Sequence, residues 1–123
     1  MARPIRVEFE GATYHVMSRG NEGRLIFLTQ HDRFLFLETL KEMLEQFGVL
    51  LYAYCLMPNH YHLVIKTCRG NLSQAMGWFQ TTFTVRYNLK KRRSGHLFQG
   101  RYKSIIVDGD AYAKQLVLYL HLN

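Results

Sequence analysis

Two apolar segments separated by a short turn constrain the fold more than any other feature of this sequence. Residues 49–56 (Val-Leu-Leu-Tyr-Ala-Tyr-Cys-Leu) and residues 60–67 (His-Tyr-His-Leu-Val-Ile-Lys-Thr) each have the length and composition of a β-strand. Pro58 and Asn59, which favour a tight turn, lie between them. Because so short a connection joins antiparallel strands, the sequence predicts a β-hairpin here.

The flanking segments predict the rest of the fold. Strands are predicted at residues 12–18 and 102–107, and helices at residues 29–47 and from about residue 71 to residue 93. The resulting order, β-α-β-β-α-β, is that of a ferredoxin-like split βαβ fold of the α+β class. Such a fold has a four-stranded antiparallel sheet with both helices on one face. A further helix is predicted from about residue 110.

Local signals mark where the helices begin and end. Thr29 and Asp32 have the spacing of a capping box, and Gly48 supplies a stop signal for the first helix. Asn71 or Ser73 can open the second helix. A length of 123 residues is that of one domain, so we expect a single domain over residues 1–123.

The composition excludes several classes of protein. The chain has 123 residues, of which 48% are hydrophobic and 14% aromatic, and this content excludes disorder. It has no apolar run long enough to span a membrane and no apolar signal segment, so we expect a cytoplasmic protein without a membrane partner. Cys55 and Cys68 are too few for a disulfide framework, and we expect both as thiols.

The net charge points to a class of partner without deciding on it. Sixteen Lys and Arg residues against nine Asp and Glu residues give a formal net charge of +7. Positive charge combined with many aromatic side chains is typical of nucleic-acid-binding proteins. A soluble basic domain without a polyanionic partner explains the charge equally well.

The second strand of the hairpin carries two histidines. Side chains at positions i and i+2 of a strand project from the same face, so His60 and His62 lie together while Tyr61 points the other way. Two imidazoles on one strand are well placed to bind one divalent metal ion. Unrelated surface histidines have the same spacing, and the bare His-x-His motif does not decide between the two interpretations.

The last predicted helix places a phenol and an amide on one face. Tyr119 and Asn123 are four residues apart, which separates them by about 40° around the helix axis. Both lie at the edge of an apolar stripe. A tyrosine at such a boundary more often packs its ring and leaves its hydroxyl in water, so spacing alone favours a packing role for Tyr119.

In combination, these motifs resemble those of the REP-associated tyrosine transposases, a branch of the single-tyrosine HUH endonucleases. The resemblance covers nearly the whole chain. The matching segments, in chain order, are residues 14–16, 18–21, 26–27, 52–54, 57–63, 95–104 and 119–123. The specific signal is the ordered set of Met-Pro-Asn-His-Tyr-His-Leu, Gly-His-Leu-Phe-Gln-Gly-Arg-Tyr-Lys and Tyr-x-x-x-Asn.

The resemblance implies a role for each of four residues. His60 and His62 match the metal ligands of the HUH motif, and Asn123 matches the position of a third, amide-type ligand. Tyr119 matches the nucleophile. The implied cofactor is Mg²⁺ or Mn²⁺, and the implied reaction is cleavage of single-stranded DNA through a 5′-phosphotyrosine link, followed by strand transfer. The implied partner is single-stranded or hairpin DNA from palindromic repeats, and we favour a monomer over a homodimer.

Eight basic residues are predicted to contact DNA phosphates, since binding of single strands combines positive charge with base stacking. They are Arg19, Arg24, Lys90, Lys91, Arg92, Arg93, Arg101 and Lys103. The run at residues 90–93 is explained about as well as the solvated end of a helix.

Two other functions are compatible with the same residues. One is a catalytically inactive DNA-binding remnant of a transposase. The sequence ends at Asn123, where relatives continue with a proline and a further segment, so we expect a truncation at the C-terminus. The other is a metallohydrolase that cleaves a small phosphoester with metal-bound water. Only the tyrosine mechanism forms a covalent adduct with DNA, so covalent capture distinguishes the three.

Overall fold

The computed structural model describes residues 8–107 and Lys114, and it confirms the predicted α+β fold. The elements are β1 (Ala12–Arg19), a 3₁₀ turn (Asn21–Gly23), α1 (Gln30–Phe47), β2 (Val49–Met57), β3 (His60–Thr67), α2 (Leu72–Lys91) and β4 (Lys103–Ile106). The strands begin and end within one residue of the predicted positions. The last predicted helix, with Tyr119 and Asn123, lies outside the described residues except for Lys114.

The four strands form one antiparallel sheet in the order β2-β3-β1-β4. The histidine strand β3 is therefore an inner strand, as the hairpin and the split βαβ order predict. Its first residue, His60, pairs with Arg19 of β1 on one side and with Met57 of β2 on the other. On the far side of β1, Met17 pairs with Lys103 of β4. The start of β3 thus lies beside the end of β1 and the start of β4.

Both helices pack on one face of the sheet, where they bury the main core. The inward-facing residues of β1 and β3 meet aromatic and aliphatic side chains of α1 and α2. The large buried residues of these four elements are Tyr14, Tyr61, Leu63, Ile65, Phe36, Leu40, Met43, Leu72, Phe79, Phe83 and Tyr87. The period of two along β3 consequently directs His60 and His62 to the opposite face.

The capping box predicted for α1 is present and is tied to the end of α2. The backbone N–H of Asp32 donates to Thr29 Oγ1 at 3.3 Å, and the N–H groups of Leu28 and Thr29 each donate to Asp32 Oδ2 at 3.0 Å. Lys91 Nζ lies 2.9 Å from Asp32 Oδ1. Gly48 ends α1 in the left-handed conformation (φ 65°, ψ 43°), as expected of a stop signal.

Replacing Asp32 by Ala is expected to lower the free energy of unfolding by about 3 kcal/mol, because it removes a buried carboxylate that caps α1 and pairs with Lys91. Denaturant unfolding measures the change. Glu42→Ala is the matched control, since Glu42 forms an exposed ion pair with Arg86 and its loss should change stability much less. Equal losses in the two variants would contradict the structural role of Asp32.

The same carboxylate predicts a pH dependence. Burial by itself would raise the pKa of Asp32, but the hydrogen bond from Lys91 and the backbone N–H groups outweigh it and hold the pKa below its usual 3.8. The stabilisation is thus present above pH 3.8 and is lost as the pH falls through the lower pKa of the folded state. Comparing wild type with Asp32→Asn across this range isolates the effect.

The remaining expectations concern thiols and membranes. Cys55 is buried and Cys68 exposed, and both are free thiols. Within residues 8–107 no helix combines the length and the apolar character that a membrane crossing requires.

Candidate active site

The two histidines of β3 lie side by side on the face of the sheet opposite the helices. Their ring centroids are 5.1 Å apart and the ring planes are nearly perpendicular, at 85°. Both side chains are half-buried, whereas Tyr61 between them is fully buried on the helix face. The structure therefore brings His60 and His62 together as the alternation along the strand predicts.

A hydrogen bond occupies one nitrogen of each ring. His60 Nδ1 lies 2.8 Å from Asn59 Oδ1. Because a carboxamide oxygen only accepts, the His60 Nδ1–H donates and Nε2 keeps its lone pair. His62 Nδ1 lies 3.0 Å from Nε2 of His15 on β1, and the two rings stack with centroids 5.2 Å apart. Each ring thus has Nε2 left for another partner.

Sequence analysis missed His15, although the residue lies in one of the segments that carry the family resemblance. Its pairing partner on β3 is Val64, and Met17 is the residue opposite His62. His15 reaches His62 as a diagonal neighbour on the same face of two adjacent strands. Finding it requires the register between β1 and β3, which the sequence does not state.

The environment keeps these imidazoles neutral at pH 7. Burial, together with the neighbouring His15 and His60, lowers the pKa of His62 to about 4. Burial, together with the charge of Arg19, lowers the pKa of His60. Neutral imidazole is the form that binds a metal ion, so the site is in a ligating state over the physiological pH range.

A cavity of ≈ 360 Å³ opens beside the histidines. It is lined by Met17, Ser18, Arg19, His60, His62, Gln99, Arg101 and Lys103. Three of the eight basic residues predicted to bind DNA therefore share one cavity with both predicted metal ligands. The combination of positive charge and free imidazole nitrogens suits a phosphate group of a nucleic acid.

Backbone hydrogen bonds bring the segment after α2 to this cavity. The Gln99 N–H donates to the Arg19 carbonyl at 2.8 Å, and the Asn21 N–H donates to the Leu97 carbonyl at 2.8 Å. The Gly20 N–H donates to the carbonyl of Asn59, also at 2.8 Å. The turn before β3, the end of β1 and the segment before β4 are thereby joined around the histidines.

The basic run at the end of α2 divides into two kinds of residue. Lys91 is paired with the buried carboxylate of Asp32, and Arg93 donates to Asn88 Oδ1 and to the His96 carbonyl at 3.3 Å. These contacts give both side chains a role within the fold. Lys90 and Arg92 are exposed, as is Arg24.

The helix also ends earlier than the basic run suggests. Lys91 is its last residue, and Arg92 takes a left-handed conformation (φ 53°, ψ 46°) as the C-cap. The expectation that the helix continues to residue 93 is wrong by two residues, because Arg92 itself reverses the chain.

The described residues fit a divalent metal ion with two ligands. His60 and His62 offer neutral imidazole nitrogens on one face of the sheet. No cluster of three or more His, Cys, Asp or Glu residues suited to a metal occurs in the described part of the chain, so these two histidines are the ligands that this part supplies. Asn123 and Tyr119, the third predicted ligand and the predicted nucleophile, lie outside that part. Of the four residues to which the resemblance assigns a role, the structure therefore describes two, His60 and His62.

A basic cavity beside a His-x-His strand, on a four-stranded split βαβ sheet, is the arrangement that the resemblance to HUH endonucleases predicts. The family model described as "Transposase IS200 like" matches residues 8–123. The chain therefore belongs to the IS200-like transposase family, which confirms the family recognised in the sequence. A search of curated proteins found no match.

Solved structures share the fold at low sequence identity. A REP-associated tyrosine transposase bound to a REP hairpin is 17% identical, with a TM-score of 0.81 over 100% of this chain and 72% of that one. A chain assigned as a transposase from Deinococcus radiodurans R1 is 15% identical, with a TM-score of 0.66 over 98% and 97% of the two chains. The fold of this protein is thus that of a transposase domain.

Proposed function

We propose that this protein cleaves single-stranded DNA with Tyr119 and transfers the strand to a new partner, acting on hairpins formed by palindromic repeats. The observation that carries the proposal is the shared cavity, which places His60 and His62 beside three cationic side chains. Membership of a transposase family supplies the class of reaction. We further propose that the protein acts in the cytoplasm, as a monomer.

The proposed cofactor is Mg²⁺ or Mn²⁺, held by His60, His62 and Asn123. The two neutral imidazoles support this assignment, since Nδ1 of each ring has a hydrogen-bond partner and His60 keeps the lone pair of its Nε2. When bound, a divalent cation polarises the scissile phosphate and offsets its developing charge.

Side chains of the protein would bind the DNA phosphates and supply the nucleophile. Arg19, Arg101 and Lys103 line the cavity and would hold the phosphates that flank the scissile bond. The Tyr119 oxygen would attack phosphorus and lose its proton, while the bond from phosphorus to the 3′-oxygen breaks. The products are a 5′-phosphotyrosine and a free 3′-hydroxyl. Attack by the 3′-hydroxyl of another strand would reverse the step and release Tyr119.

Hairpin DNA is the proposed substrate because one of the solved structures that share the fold has a REP hairpin bound. The exposed Lys90, Arg92 and Arg24 offer further positive charge for phosphates outside the cavity. Exposed cations contribute to DNA affinity by releasing counterions from the phosphates. We therefore expect their share of the DNA affinity to fall as the salt concentration increases.

Covalent capture tests the proposal. We expect labelled DNA with a palindromic hairpin and a single-stranded flank to form a denaturation-resistant adduct with the full chain in the presence of Mn²⁺, and none with EDTA. DNA binding without an adduct would instead support the inactive remnant. Metal-dependent hydrolysis of a small phosphoester, again without an adduct, would support the metallohydrolase.

A further inference from the structure

The contact between His15 and His62 determines which nitrogen of His62 is available. His15 Nε2 and His62 Nδ1 are 3.0 Å apart, and the rings stack at an interplanar angle of 30°. His62 lines the cavity, whereas His15 is not among the lining residues. His15 thus touches His62 from the neighbouring strand without lining the cavity itself.

A hydrogen bond between two neutral imidazoles has only two possible directions. If His15 donates, His62 accepts at Nδ1 and carries its proton on Nε2, so neither nitrogen can bind a metal. If His62 donates from Nδ1, its Nε2 keeps the lone pair. Only the second direction is compatible with His62 as a ligand.

The neighbouring histidine shows the same arrangement with an unambiguous acceptor. Asn59 Oδ1 lies 2.8 Å from His60 Nδ1 and fixes the proton of His60 there. His15 stands in the equivalent place beside His62, on β1 instead of in the turn. The two hydrogen bonds would then leave both Nε2 atoms free at once.

We propose that His15 is a positioning residue: it accepts the Nδ1–H hydrogen bond of His62 and so holds that ring with Nε2 available to a divalent metal. This inference rests on the proposed function, in which His60 and His62 hold the metal. Partners of this kind fix the tautomer and the ring orientation of a ligating histidine, and their loss costs about 10- to 100-fold in metal affinity.

Titration calorimetry with Mn²⁺ on the full chain tests this role. His15→Phe keeps an aromatic ring but has no acceptor, and we expect it to bind Mn²⁺ about 10- to 100-fold more weakly than wild type. His15→Gln carries an amide oxygen at a similar reach and should recover most of the loss. Thermal unfolding of both variants reports on folding. An unchanged Mn²⁺ affinity in His15→Phe would overturn the inference.

A second measurement on metal-free wild type is independent of any substitution. Long-range ¹H–¹⁵N NMR spectra distinguish the two histidine tautomers, and we expect the His62 proton on Nδ1. A proton on Nε2 would overturn the positioning role, and covalent capture of DNA tests the cleavage reaction separately. Mn²⁺ binding that survives replacement of both His60 and His62 by Ala would overturn the metal site itself.

Discussion

Replacing Tyr119 by Phe is expected to eliminate the covalent protein–DNA adduct completely. The substitution removes a single oxygen atom, the one proposed to form the phosphotyrosine bond, and keeps the ring. DNA affinity and melting temperature should therefore barely change. A denaturing gel with labelled hairpin DNA and Mn²⁺ measures the adduct, and a binding assay in EDTA measures affinity separately.

Tyr112→Phe is the matched control, because Tyr112 lies two turns earlier on the same face of the predicted last helix. It should form the adduct at the wild-type level. The assignment is wrong if the Tyr112 variant loses the adduct and the Tyr119 variant keeps it. Loss in both variants would point to a helix-wide effect, and melting temperatures would then identify unfolding.

Three of the tyrosines within residues 8–107 are poor competitors for the role of nucleophile. Tyr61 is buried between core rings, where burial raises the pKa of its hydroxyl, and this hydroxyl accepts a 2.7 Å hydrogen bond from Gln80 Nε2. Tyr87 donates to the Ile26 carbonyl at 2.8 Å. Tyr54 pairs with Leu63, so it faces away from the histidines.

Replacing His60 and His62 together by Ala is expected to abolish Mn²⁺ binding and to reduce cleavage by more than about 1,000-fold, equivalent to about 4 kcal/mol of lost transition-state stabilisation. Both side chains lie on the face opposite the helices, so the aromatic core and the melting temperature should change little. Adduct formation as a function of Mn²⁺ concentration measures the effect.

Lys66→Ala serves as the control for the histidine variant. Lys66 lies on the same face of the same strand, nearer its other end, and does not line the cavity. It should keep wild-type dependence on Mn²⁺. If the double histidine variant cleaves with that same dependence, the metal lies elsewhere.

Local signals account for the parts of the fold that sequence analysis predicted correctly. The capping box of Thr29 and Asp32 spans four residues, and the turn at Pro58-Asn59 leaves an antiparallel hairpin as the only connection. Because successive side chains of a strand point to opposite faces, the sequence of β3 alone shows which of its residues share a face. Such signals depend on residues close together in the chain, so they can be read from the sequence.

Contacts between distant residues account for what sequence analysis missed. His15 and His62 are 47 positions apart, and their meeting depends on the register between β1 and β3. The pairing of Lys91 with Asp32 likewise depends on how α1 packs against α2. A basic residue at a helix end looks solvated until its partner is known, so the sequence does not show that Lys91 has a partner within the fold.

The register of β3 also bears on how such a site can change over generations. If the turn keeps its position, a one-residue insertion between Asn59 and His60 would exchange the two faces of the strand, which would bring the imidazoles into the core and expel Tyr61. Tyr61 contacts Phe36, Phe79 and Phe98, so the mutant would lose its core at the same moment as its histidines. Selection for a folded chain alone therefore preserves the direction of both histidines, even in a lineage that no longer needs them to cut DNA.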